Sequence, residues 1–443
     1  MRKWISFSPG YQSGRFEQKL YQMVNDFKHA VVLTDQYPFY SGHAHQYHEF
    51  SVLAGFGALN VWDEDINQLE SEAYRLNDWL LGYFSYDLKN EFESGLSSSN
   101  WDFAGFQNFG FFQPRFMIRR TGESWHLGYE SDCDTQQDAL SFVEKIRGYS
   151  VHENYDLPSI TFQSNVSREE YLQTVEKLKH HIRKGDIYEI NYCIDFFCER
   201  VAIDPARVFS ELMKIAPMPF STLLRHNESF LMSASPERYL RKRGARVLSQ
   251  PMKGTAKRNP SKSEDYKVMK QLAESDKERA ENIMIADLVR NDLARVAARG
   301  TVKVDDLCSV FPFPGVYQMI STVSAQMHPD AHWVDPIKYS FPMGSMTGAP
   351  KISAMELIEK YEKSARGLYS GAVGYITPEL DFDFNVVIRS FLYNQASQYL
   401  SYSVGSAITD VCNASMEYEE CLLKAENLRN VFNKKTQYGS FAG

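Results

Sequence analysis

A change of pattern near residue 150 constrains the fold of this chain more than any other feature. Before it, short aromatic-rich apolar runs alternate with turns: "AVVLTD", "FSVLAGFG", "WLLGYFSYDL", "FGFFQPRFMIRR" and "SWHLGYE". Such runs, bounded by turn residues, read as strands. "TQQDALSFVEKIRGY" (135–149) then reads as a helix, and "SVHENYDLPSITFQ" (150–163) has polar residues and a proline without periodicity. A domain boundary is expected there, between a sheet-rich unit at 1–155 and a second, intertwined globular unit at 156–443. Beyond it, long helices feed strands. Ser167 and Glu170 form a capping-box signature, Tyr171, Val175, Leu178 and Ile182 repeat at helical spacing, and Gly185-Asp186 ends that helix. Further helices are expected at 263–275, 277–298, 350–363 and 415–433, and strands at 229–234, 369–376, 384–393 and 399–404. The fold class that follows is α+β, with large antiparallel sheets packed together and helices outside them.

Hydrophobic residues make up 43% of the 443 residues and aromatics 14%, enough for a sizeable core. The net charge of −8 leaves no basic excess to neutralise phosphates, which excludes broad nucleic-acid binding. A small acidic substrate stays open if cations gather locally. No run of about 18 apolar residues occurs, so no membrane span is expected. "MRKWISFSPGYQSG" has no apolar run behind its basic residues and does not read as a signal peptide. The six cysteines (133, 193, 198, 308, 412, 421) include no Cys-x-x-Cys pair, so buried thiols in a reducing cytoplasm are expected rather than disulfides. His43, His45 and His48 alternate as if to share a strand face, but no carboxylate or cysteine lies near them at ligand spacing.

Four constellations could carry chemistry. In "SASPERYLRKRGARVLSQPMKGT" (233–255), the turn "KRG" folds two strands antiparallel, bringing Glu237 and Lys253 toward neighbouring strand ends. Either a cross-strand ion pair or an acid/base carboxylate beside a reactive lysine would explain them; the lysine is a nucleophile only when neutral. "DKERAENIMIADLVRND" sets Glu278 and Glu281 on one helical face, and "SMEYEECLLKAENL" does the same with Glu417, Glu420 and Lys424. Two such pairs are either solvated surface or a carboxylate site for Mg²⁺. "FPMGSMTGAPKISAMELIEKY" is a glycine-rich turn opening a helix, with Pro350 suited to its first position; its spacing is not that of a nucleotide-binding P-loop. Arg389 ends "FDFNVVIRS" and could fork a carboxylate, with a small-residue turn at Gly405-Ser406 nearby.

Together these residues resemble the chorismate-utilising enzymes, a family that includes anthranilate, aminodeoxychorismate, isochorismate and salicylate synthases. The resemblance runs through "GDIYEIN", "SASPER", "PMKGT", "ERAENIMIADLVRNDLARV", "FPMGSMTGAPKISAMELIE", "SGAVGYI", "DFNVVIR" and "EYEECLLKAENL", and more weakly through "LLGYFSYDL" (80–88). It implies the anthranilate-synthase-component-I-like fold. Lys253 resembles the aminodeoxychorismate-forming branch, since anthranilate synthases carry alanine there. The family mechanism implies attack by the Lys253 amine on ring carbon two of chorismate, loss of the hydroxyl at carbon four with Glu237 as acid, and replacement of the lysine by ammonia. It implies Mg²⁺ held by Glu281 and Glu420, with Glu278 and Glu417 acting through waters. Gly254, Thr255, Tyr375, Arg389, Gly405, Ser406 and Lys424 match substrate-holding positions. No glutaminase segment is present, so the resemblance implies ammonia from a separate glutaminase subunit. Three departures stand out. Glu189 replaces a common glutamine (a lysine base in the water-using relatives), Gln318 replaces a histidine, and Ala407 makes its loop less glycine-rich. The Leu-Leu-Glu-Ser associated with tryptophan binding is missing, so no tryptophan feedback is expected. Anthranilate synthesis, or a non-catalytic binding role, are the alternatives.

Overall fold

The computed structural model describes residues 1–10, 13–35, 50–151 and 157–433; the histidines at 43, 45 and 48 lie outside them. Among the described residues there are twenty strands and twelve α-helices, and the strand pairings are antiparallel throughout. The capping boxes at Ser167/Glu170 and Thr135/Asp138 start the helices Arg168–Lys184 and Gln136–Gly148. Gly185, at φ 83°, closes the first of these.

The strands form two arms of one hydrogen-bonded sheet. In the first arm, Glu189–Cys198 pairs with Tyr399–Ile408, which continues through Ser390–Asn394, Ser229–Ser235, Phe220–His226, His29–Thr34 and Val52–Trp62 to Phe109–Thr121. The second arm leaves Phe109–Thr121 through Leu80–Phe84. It passes along Ala372–Ile376, Phe382–Val386, Arg238–Arg243 and Arg246–Gln250 to Val316–Gln326, where Met252–Lys257 and Lys303–Phe313 also pair. Val31, Leu53, Leu224, Leu231 and Leu392 of the first arm meet Leu240, Val247, Val323, Phe382 and Phe384 of the second in one buried cluster. The other face of the first arm packs on helices through Leu20, Phe142, Leu178, Phe209 and Cys421. Sheet packed on sheet with helices outside is the expected α+β arrangement.

Several expectations need correcting. The N-terminal part also contains the helices Ser13–Val24 and Ile66–Leu76, where only strands were read. Residues 384–393 are two strands, Phe382–Val386 and Ser390–Asn394, because Arg389 takes φ 52° between them. The span 415–433 is two helices, Ala414–Lys424 and Glu426–Phe432. Pro350 is the N-cap rather than the first helical residue, so the helix begins at Lys351. The cysteines are all free, but Cys133 is exposed and Cys198 half-buried. Among the described residues no helix is long and apolar enough to cross a membrane.

Candidate active site

The free ends of the two arms meet at Lys253. It is the second residue of Met252–Lys257 in one arm, and its Nζ donates 2.8 Å to Oε1 of Glu189, which opens Glu189–Cys198 in the other. The two side chains are 12% and 1% exposed. Asn282 pins the lysine's backbone by donating to the carbonyls of Lys253 (3.2 Å) and Met319 (3.1 Å). Gly254 follows at φ +94°, where a Cβ would approach Glu278 to 3.1 Å and Met319 to 3.2 Å. The opening is therefore tight and needs glycine. Burial pulls the Lys253 ammonium toward neutrality, but the Glu189 carboxylate, helped by Glu281 and Glu420, outweighs it and holds the group above an ordinary lysine. The second Glu189 oxygen, Oε2, is buried without a hydrogen-bond partner.

Glu237 sits where the hairpin Arg238–Arg243/Arg246–Gln250 opens, with Arg238 paired to Gln250. It is 4% exposed. Its N–H donates to Ser235 Oγ (3.3 Å), and its carbonyl accepts from the Val386 N–H (3.0 Å). Burial pushes the carboxyl up to about 7, against the opposing pull of Ser345, the Met252 N–H, Lys253 and Arg389. Glu237 and Lys253 thus sense each other without forming the cross-strand ion pair that the hairpin alone allowed, because Glu189 takes the lysine. Arg389 faces Glu237, and burial lowers its pKa from the ordinary value. The half-buried guanidinium carries five donors, for which a ligand carboxylate would supply acceptors.

Each acidic pair lies on one helix, as the helical spacing suggested, and the two pairs are near enough for their charges to be felt across the gap. Glu278 and Glu281 lie on Asp276–Ala294, and Glu417 and Glu420 on Ala414–Lys424. Burial raises Glu278, Glu281 and Glu417, Glu281 to about 7, and neighbouring carboxylates add to each. In Glu420 burial is outweighed by Lys424, 2.7 Å away, so its pKa is lowered. Lys277 lies 3.8 Å from Glu281 and feels all four carboxylates.

Lys424 also donates 2.9 Å to the Gly405 carbonyl. Gly405 and Ser406 lie inside the strand Tyr399–Ile408, paired with Cys193 and Tyr192, and not in the turn expected of them. A Cβ at Gly405 would fall 2.6 Å from Cys193 Sγ and 2.9 Å from the Tyr192 carbonyl, so the two strands lie flush there. The Ser406 hydroxyl lies 3.0 Å from the Tyr171 hydroxyl beneath the strand and beside Glu417. Thr255 donates 2.8 Å to Gln318 Oε1, leaving Gln318 Nε2 buried and unpartnered. Tyr375 is not brought to this group. Its ring packs on Trp79 and Phe50, and it lines a separate cavity with Leu33, Phe220, Ser221 and Asn385. None of these contacts is with the residues around Lys253, where the resemblance sets it. Tyr369, which the sequence reading passed over, is the phenol nearer Gly405, 3.8 Å from the Sγ of Cys193 on the paired strand; its signal was a tyrosine set two residues from glycine on either side, in "GLYSG". Ser345 and Asn282 were also missed, as side chains whose neighbours are remote in sequence.

This assembly has counterparts. Residues 25–430 match the family model described as chorismate binding enzyme. Aminodeoxychorismate synthase component 1 of Escherichia coli (strain K12) is 32% identical over 371 residues, covering 84% of this chain and 80% of that one. Anthranilate synthase component 1 of Haloferax volcanii is 36% identical over 278 residues, 62% of this chain and 52% of its own. Among solved structures, anthranilate synthase component I from Streptococcus pneumoniae TIGR4 superposes with a TM-score of 0.77 at 23% identity, over 86% of this chain and 92% of that one.

Proposed function

The chain belongs to the chorismate binding enzyme family, and from that premise we propose that it is the chorismate-aminating component of an aminodeoxychorismate synthase. The observation that carries this reading is Lys253, a buried amine at the junction of the two arms with the carboxyl of Glu237 and the guanidinium of Arg389 close by.

In this reading the amine of Lys253 bonds to ring carbon two of chorismate. The ring double bonds shift, and the hydroxyl at carbon four leaves as water with a proton from Glu237. A carboxyl with a pKa near 7 is well matched to giving that proton at neutral pH. Ammonia then bonds to carbon four and expels the lysine, yielding 4-amino-4-deoxychorismate. Arg389, Gly405 and Thr255 would receive the carboxylates of the substrate dianion, with Lys424 and Ser406 holding the strand at Gly405 in place. The component naming of relatives such as the Escherichia coli protein supports a separate glutaminase subunit as the source of ammonia.

Mg²⁺ fits the donor set. Four carboxylates share one region, and in three of them burial and neighbouring charge oppose ionisation, a condition that a hard divalent cation relieves. Among the described residues no group of three metal-ligating side chains is gathered closely enough to hold an ion by itself. Glu281 and Glu420 would hold it directly, and Glu278 and Glu417 through waters. Bound there, it supplies positive charge for the ring carboxylate of chorismate.

The test is to incubate the protein with chorismate, Mg²⁺ and an ammonium salt and identify the product by mass and chromatography, with Lys253→Ala alongside. Aminodeoxychorismate from wild type, lost in the variant, is the expected result. Anthranilate from wild type would transfer the assignment to anthranilate synthase. No consumption of chorismate would leave only a binding role.

A further inference from the structure

We propose that Glu189 is the proton acceptor that frees the Lys253 amine, so that the nucleophile and its base are a pair built across the two arms. The proposal rests on the reading of Lys253 as nucleophile. Its own basis is the contact at the junction. Glu189 Oε1 lies 2.8 Å from Lys253 Nζ, and no ion pair under 4 Å joins that ammonium to any other carboxylate among the described residues. Glu189 itself is 1% exposed. Its Oε2 is buried and accepts no hydrogen bond, so among the described residues Lys253 Nζ is the one side-chain donor to this carboxylate. The backbone holds the acceptor firmly. Glu189 pairs with Ala349 and the next residue, Ile190, with both Gly348 and Ile408.

The step balances. One N–H bond of the Lys253 ammonium breaks as its proton moves to Glu189 Oε1, leaving a neutral amine beside a neutral acid. The nitrogen lone pair bonds to ring carbon two, and the pair from the carbon–oxygen bond at carbon four leaves with the hydroxyl, which Glu237 protonates to water. The product side holds a secondary ammonium, protonated Glu189 and ionised Glu237, with no external oxidant or reductant. The groups facing Lys253 are Glu189 on its strand, Glu237 at the hairpin mouth, Glu278 and Glu281 on Asp276–Ala294, and Glu420 on Ala414–Lys424. Of these only Glu189 is in contact with the amine, so only it can take the proton directly.

The experiment follows the covalent step alone. Wild type and Glu189→Gln are mixed with chorismate and Mg²⁺ without ammonia, quenched in acid between pH 6.5 and 9.5, and weighed intact, with the modified peptide located. Glutamine has the same shape, so the variant is expected to fold. The ratio of variant to wild-type rates cancels the titration of Glu237. We expect Lys253 labelling in the variant to be about 100-fold slower at pH 7, with the ratio rising by about tenfold per pH unit as solvent takes over the deprotonation. Glu189→Asp, which keeps a carboxylate, should regain a pH-independent ratio. A variant as fast as wild type at pH 7, or faster because the carboxylate that holds the ammonium charged is gone, would mean that Glu189 only clamps the charge. A ratio that is low but constant with pH would mean a structural role. Either overturns the proposal. Wild type that aminates chorismate without ever labelling Lys253 overturns it too, while leaving the amination reading standing. Wild type that does not consume chorismate at all removes the reading beneath it.

Discussion

Replacing Glu237 by glutamine should stabilise this protein at alkaline pH while disabling it. The carboxyl is 4% exposed, and burial raises its pKa from 4.5 to about 7 despite Arg389 and Lys253. The native group therefore keeps a proton between those values that the unfolded chain has lost. Its contribution is fully present below about pH 4.5, falls as pH rises, and is gone above about pH 7. At about 1.4 kcal/mol per pH unit, the cost of ionising it in place is about 3 kcal/mol. Glutamine never ionises, so Glu237→Gln should match wild type near pH 4.5 and exceed it by that amount at pH 8.5. With an unfolding entropy of about 2.1 cal/mol/K per residue over 443 residues, the gain is a rise in Tm of about 3 °C. Thermal melts followed by tryptophan fluorescence at both pH values would measure it, beside chorismate turnover, which should fall by about 10²- to 10⁴-fold. A Tm difference independent of pH, or wild type the more stable at pH 8.5, would refute the argument that a buried, proton-holding carboxyl stands at the hairpin mouth.

Three further outcomes follow from the same geometry. Gly405→Ala forces a methyl to within 2.6 Å of Cys193 Sγ and 2.9 Å of a backbone carbonyl; about 1–3 kcal/mol of overpacking should appear as a lowered Tm and a raised KM for chorismate. Glu281→Gln removes a carboxyl whose pKa is raised to about 7 and should weaken Mg²⁺ binding by at least about tenfold in calorimetry, with the effect largest above pH 7, where the wild-type group is ionised. Tyr375→Phe should leave KM for chorismate within about twofold, because the ring packs with Trp79 and Phe50 in a separate cavity; a large rise would return that tyrosine to the site.

The parts of this molecule written locally were legible. The capping box at Ser167, the left-handed stop at Gly185 and the acidic pairs at helical spacing each depend on residues within a turn or two, and the structure has them as read. The hairpin between Arg238 and Gln250 was legible for the same reason, being set by one glycine turn. What failed depended on distant pairing. The partner of Lys253 is 64 residues away, and an antiparallel hairpin offered Glu237 first. Tyr375 sits in a strand that read correctly as a strand, yet which face meets which cavity is decided by pairing with Leu81 and Asp383, and no periodicity reports that. The helix Ile66–Leu76 was passed over because its apolar residues are few, with Ile66, Leu69 and Ala73 buried, and aromatic strands flank it.

The strand Leu80–Phe84 joins the two arms, and its free edge is covered only by Ala372–Ile376, some 290 residues later in the chain. At about 5–20 residues per second of synthesis, that edge emerges roughly 15–60 s before its partner exists. Its burial is complete on both faces once assembled, so during translation an apolar, unpaired strand must be kept from its neighbours on the same polysome. The yield of folded protein should therefore depend on how fast the ribosome moves between those two strands.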